Sequence, residues 1–149
     1  MRAESLSGVD AHFDVVTCLW NVLGHISPAS NRLEVLGQFA RLASPNGRIF
    51  IDVNHRYNAR HYGVAATLMR FLRDRFAPSE RNGDVLVTWD VEGMSCRTSG
   101  HVFTHREFAS ICTTAGLAIE KRYVFDYATG ELRHAGFMGN LLYVLRPVS

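Results

Sequence analysis

A chain of 149 residues with 47% hydrophobic and 20% charged side chains has the material for one packed domain, 1–149, and is neither disordered nor fibrous in composition. Its 16 basic and 14 acidic residues are scattered, so a net charge of +2 leaves no basic run to track nucleic acid. Three cysteines without CxxC spacing fit a reducing cytoplasm better than a disulfide framework; Met1 to Asp10 is too polar for a signal peptide, and no apolar run approaches the roughly 18 residues of a membrane helix.

In chain order, Phe13-Asp14-Val15-Val16-Thr17-Cys18-Leu19 is a β-branched, apolar run that predicts a strand buried on both faces, running into Trp20-Asn21-Val22-Leu23-Gly24-His25. Ser27-Pro28 offers an N-cap and a first-turn proline for a helix with Leu33, Leu36, Phe39, Ala40 and Ala43 at helical spacing. The turn Ser44-Pro45-Asn46-Gly47 then stops that helix, and Arg48 to Val53 reads as a second buried strand. Strand, helix and strand at this length make a βαβ unit, for which a right-handed crossover is expected.

Tyr62 to Phe76 predicts a helix with Leu68, Met69, Leu72 and Phe76 as a core stripe, flanked by solvated Arg70, Arg73 and Arg75. Val85, Val87, Trp89 and Val91 alternate with polar residues, the pattern of a half-exposed antiparallel strand pairing as a hairpin with Ser95 to Phe103. Thr104-His105-Arg106-Glu107 is a capping box, Phe103 and Phe108 are placed for a hydrophobic staple, and Gly116 suits the position after the helix. Leu117 to Tyr127 and Asn140 to Arg146 read as two further strands, joined by a glycine-containing stretch.

The order of these pieces, FDVV with the Asn21 to His25 segment, a helix, LASPNG, IFIDV, then FTHREF closed by AGL, resembles the last four strands of class I S-adenosylmethionine-dependent methyltransferases. Cys18 to His25 together with Ile51 to Asn58 is most similar to the small-molecule N-methyltransferases of the glycine and sarcosine type. The resemblance implies an α/β fold: a partial Rossmann-like sheet of parallel strands closed by C-terminal antiparallel strands. The glycine-rich loop and ribose-holding acidic residue of that family have no counterpart, so the chain reads as a C-terminal half lacking roughly 60 to 90 residues. The inner edge of the Phe13 to Cys18 strand is then expected to be unpaired, to be covered by a second copy, by a separately encoded N-terminal half, or by residues 1 to 12.

By the same resemblance, Cys18, Leu19 and Trp20 lie along the methionine part of S-adenosylmethionine, which is held only if a second half or partner completes the site. Asn21 and His25 face a small-molecule acceptor, an amine by analogy. Arg56 is the residue expected to hold a substrate carboxylate, since one guanidinium can do so bidentately. Asn21 has an equal structural reading, satisfying backbone groups at the strand end, and Asp52 reads as a turn former. No histidine has the spacing of a metal ligand. The competing reading is a non-catalytic module kept for dimerisation or partner binding; a dinucleotide-binding dehydrogenase is excluded because GxGxxG is absent.

Overall fold

The computed structural model describes residue 6 and residues 8–148. A five-stranded sheet is formed by β1 (Phe13–Cys18), β2 (Ala43–Val53), β5 (Leu117–Phe125), β6 (Leu132–Arg133) and β7 (Asn140–Pro147), ordered β1-β2-β7-β5-β6. Strands β1 and β2 run parallel, joined through helix α1 (Ala29–Leu42); β7 pairs antiparallel with both β2 and β5. This is the expected combination of a parallel pair with a closing antiparallel set. The two-residue β6 inside the glycine-containing stretch has too little sequence to carry a period.

The core lies between this sheet and helices α1 and α4 (His105–Thr114). Val35, Leu36, Phe39 and Leu42 of α1 are buried, as are Ile49, Ile51 and Val53 of β2 and Leu141, Tyr143 and Leu145 of β7. The Phe108 ring stacks on Tyr143 at 4.2 Å, and Phe103 meets Phe108 edge-on, which is the predicted staple. Thr104 Oγ1 accepts from the Glu107 amide at 3.1 Å and the Glu107 carboxylate accepts from the Thr104 amide, so the capping box forms as read.

Four expectations are corrected. Ser27 does not cap α1: the helix starts at Ala29, and Asn31 Nδ2 instead donates to the Ser27 carbonyl at 3.2 Å. Ser44 to Gly47 is no separate turn but part of β2, at the point where its pairing with β1 shifts register between Phe13 and Val15. Strand β1 is not buried on both faces: Phe13 is 44% and Val15 59% exposed, and only Cys18 is buried. Among the described residues β1 pairs with β2 alone. Residues 1–5 and 7 of the segment expected to cover that edge lie outside the described ones, while Leu6 and Val9 are tied to α1, their carbonyls accepting from Arg41.

The fourth correction concerns the second helix. The helix expected over Tyr62 to Phe76 forms as α3 (Val64–Phe76), preceded across Gly63, at φ 82°, by the short α2 (Ala59–Tyr62), but α3 packs with its polar face inward. Asp74 accepts from Arg56 at 3.0 Å, from the Tyr57 hydroxyl at 2.6 Å and from Asn82 at 2.8 Å. The apolar stripe therefore points outward, with Leu68 55%, Met69 72% and Phe76 78% exposed. Beyond it β3 (Asp84–Val91) and β4 (Met94–His101) form the predicted hairpin as a separate two-stranded sheet, turning at Glu92 and Gly93, both with positive φ. No described helix is long and apolar enough to cross a membrane.

Candidate functional site

The site is built where the parallel strands end. After Cys18 the chain turns sharply, and both Trp20 (φ 64°) and Asn21 (φ 53°) take the left-handed conformation, which non-glycine residues rarely adopt unless held. Asp52, at the end of neighbouring β2, holds them: its carboxylate accepts from the Trp20 amide at 3.0 Å, the Asn21 amide at 2.7 Å and the Tyr127 hydroxyl at 2.7 Å. Asp52 is thus the turn organiser that its sequence position implied. Asn21 Oδ1 in turn accepts from the Asn54 amide at 2.9 Å, which ties the two strand-end segments together.

The Asn54 to Asn58 segment is fixed from its other side. The Phe103 amide donates to the Asn54 carbonyl and the Arg56 amide to the Phe103 carbonyl, each at 2.9 Å. Asn140 Oδ1 accepts from the His55 amide at 3.2 Å and from Asn58 Nδ2 at 3.3 Å, so the start of β7 braces the same loop.

These loops, the β3–β4 hairpin and the stretch between β5 and β7 enclose a cleft of about 870 Å³, within the range of small-molecule sites. Trp20 and Tyr127, stacked at 5.7 Å with planes 6° apart, line it together with Asn21, His25 and Trp89. Its polar wall includes Asn54, Asn58, Asn140, Arg60 and Arg70. Tyr127, half-buried and bonded to Asp52, has its hydroxyl pushed well above the usual phenol range by desolvation and by that carboxylate, so it stays protonated.

The residues singled out in the sequence separate into two groups. Trp20, Asn21 and His25 converge on the cleft. Asn21 is 5% exposed; its Oδ1 is engaged, whereas its Nδ2 bonds to no described residue and is available to a ligand. His25 is exposed, its ring 6.3 Å from that of Trp89. Leu19 is 39% exposed beside this group, while Cys18 faces the core, where burial pushes its thiol up to about 11, so only its backbone is open to a ligand.

Arg56 is the correction. Its guanidinium, only 5% exposed, lies outside the cleft, paired with Asp74 at 3.0 Å and Glu107 at 2.5 Å and donating to the Val102 carbonyl. With these carboxylates already in place, it has no free fork for a substrate acid. Trp89, Tyr127 and Arg70 also line the cleft, although the sequence placed Trp89 and Tyr127 only in strands and Arg70 in a solvated flank, where it is instead half-buried. Of these only Trp89 had a usable signal, its inward phase in the alternation of β3.

No known family profile matches the sequence, and no curated protein matches it significantly. Solved structures do. The CcbJ methyltransferase from Streptomyces caelestis superposes over 100% of this chain and 62% of its own, with a TM-score of 0.68 at 13% identity. The chain has a class I methyltransferase fold. A SAM-dependent methyltransferase from Methanosarcina mazei gives 0.66 at 17% identity, over 100% of this chain and 66% of its own. The glycopeptide N-methyltransferase MtfA, solved with S-adenosyl-L-methionine, gives 0.61 at 10%, covering 100% and 59%. The chain therefore spans about three-fifths of the length of these methyltransferases, ending its sheet at β1 on the side where β1 has no described neighbour.

Proposed function

We propose that this chain belongs to an S-adenosylmethionine-dependent methyltransferase that acts on a small-molecule acceptor, with an amine as the first acceptor class to test. The observation that carries this reading is the Asp52-pinned turn of Trp20 and Asn21 at the end of β1, opening directly onto the cleft. In an open α/β sheet, ligands bind beyond the carboxyl ends of the strands, where this turn lies. MtfA, an N-methyltransferase by name, supports the choice of an amine.

The described residues supply one wall for the cofactor: the backbone of Cys18 and Leu19 and the exposed face of Trp20 fit a chain that runs past β1. The opposite wall would come from segments beyond the edge of β1 that has no described partner, whether in the same protein, in a complementing half or in a second copy. When bound, the cofactor supplies an electrophilic methyl group on a sulfonium. The chain's own part is to bind and orient. Asn21 Nδ2 donates to the acceptor, Trp20, Tyr127 and Trp89 hold its body and exclude water, and His25 takes up the proton that the acceptor nitrogen releases.

A non-catalytic partner-binding module is the second reading. The edge of β1 that has no described strand partner and the outward apolar face of α3 favour it. Calorimetric titration with S-adenosylmethionine, with solution mass measured on the same sample, separates the two. Micromolar binding that Trp20→Ala weakens about tenfold, or 1.4 kcal/mol, is expected of the enzyme. Absence of binding by a folded sample, both alone and after mixing with any complementing half, would leave the module.

A further inference from the structure

The cleft contains two arginines whose situations differ. Arg60 is neutralised, its Nε 2.6 Å from the Asp126 carboxylate, which also pairs with Arg133 at 3.2 Å. Arg70, on α3, has no carboxylate partner among the described residues. Its Nη1 donates to the Arg56 carbonyl at 3.3 Å, and its guanidinium carbon lies 3.8 Å from the centroid of the Tyr62 ring. Two neighbouring polar side chains are engaged within the fold: Asn58 caps α2, and Asn140 braces the loop.

A guanidinium has five N–H donors in a planar fork, and only one weak bond here draws on them. The half-buried Arg70 is screened less than a surface cation, so an unpaired state is unfavourable there. Its plane is nevertheless set in advance, by the Tyr62 face on one side and the Arg56 carbonyl on the other. A fixed, unpaired fork facing a cleft is suited to a planar anion that accepts two parallel hydrogen bonds. The remaining aromatic lining, Trp20 stacked on Tyr127 with Trp89 and His25, suits an apolar or planar body.

We propose that Arg70 is the anchor for a carboxylate on the acceptor, so that the cleft takes an organic acid whose body lies among Trp20, Tyr127 and Trp89. This rests on reading the cleft as the acceptor site, and it gives Arg70 the task that the sequence had suggested for Arg56. A single free fork favours a carboxylate over a phosphate, which is usually gripped by several donors at once.

The test is direct binding of a matched probe pair, 3-phenylpropionate and 3-phenylpropionamide, followed by ligand-observed NMR titration without cofactor. The wild-type chain should bind the acid about tenfold more tightly than the amide, the scale of one charge-assisted bidentate contact. Arg70→Gln should remove that preference and leave amide affinity unchanged, which also shows that the cleft is intact. Arg70→Lys, which keeps the charge without the fork, should recover part of it, and Arg60→Gln should retain it. Equal affinities in the wild type, no binding of either probe, or a preference that survives Arg70→Gln would each overturn the proposal. Because no cofactor is present, a failed S-adenosylmethionine titration leaves this result standing, and the reverse also holds.

Discussion

Asp52 Oδ1 lies 2.7 Å from the backbone nitrogen of Asn21, across from β2 to the turn after β1. The same carboxylate serves Trp20 and Tyr127, so one buried side chain stabilises two left-handed residues and the aromatic wall of the cleft. Asp52→Asn replaces an acceptor-only group with one that presents N–H donors to donors. A loss of about 2–4 kcal/mol is expected, at one to two charge-assisted bonds. Urea unfolding checks it, and a change under 1 kcal/mol would mean that the turn is held by something else.

Arg56 separates a structural from a ligand-binding role. Arg56→Met leaves the Asp74 and Glu107 carboxylates without their shared cation, and removing one partner of a buried pair costs roughly 3–5 kcal/mol. The variant should melt far below the wild type or fail to fold. A folded Arg56→Met protein of unchanged stability that had merely lost affinity for acids would restore the substrate role.

His55 gives the fold a pH dependence. It is 7% exposed, its Nδ1 has no hydrogen-bond partner among the described residues, and burial above all lowers its pKa from 6.5 to about 4, opposed by a hydrogen bond to the Gly136 backbone and reinforced by the charges of Arg122, His105 and Arg56. Between pH 6.5 and about 4 the unfolded chain takes up a proton that the folded chain refuses, so stability should fall as pH drops through that window, by roughly 3 kcal/mol in full. Above pH 6.5 the contribution is constant. His105, lowered in the same direction by burial and Arg122, adds a slope of the same sign. Unfolding free energies at pH 7 and pH 4.5 should differ less in His55→Phe than in the wild type; equal differences would remove His55 from the account.

Two glycines should respond oppositely to alanine. A methyl at Gly24 would sit 2.5 Å from both the His101 carbonyl and Asn21 Nδ2, where the backbone cannot give way. Gly24→Ala should cost about 1–3 kcal/mol and displace Asn21, visible as loss of acceptor affinity. Gly37, inside α1, has nothing within 4 Å of the added carbon. Gly37→Ala should stabilise by about 0.5–1 kcal/mol, since glycine weakens a helix interior. Thermal melts of the pair test both.

What the sequence determined was set by residues a few positions apart. The capping box of Thr104 and Glu107, the Phe103–Phe108 staple, the β3–β4 alternation and the order of strand, helix and strand all carry their signal within one element. That Trp20, Asn21 and His25 line the cleft follows from a similar local reason: they follow a strand end, and a parallel sheet gathers its strand ends along one edge. What the tertiary structure alone decided depends on partners far along the chain. The helical period of α3 shows that an apolar face exists, but its outward direction follows from Asp74 meeting Arg56, 18 residues away. Arg56 and Arg70 are both arginines beside apolar runs in the sequence; only the fold brings Asp74 and Glu107 to the first and leaves the second with no carboxylate among the described residues. A strand such as β1 likewise has the composition for burial on both faces, while its exposure depends on whether a neighbouring strand is there to pair with it. Periodicity is a property of local chain geometry, whereas pairing of charges and of strand edges is a property of distance in space, which the one-dimensional order of residues does not contain.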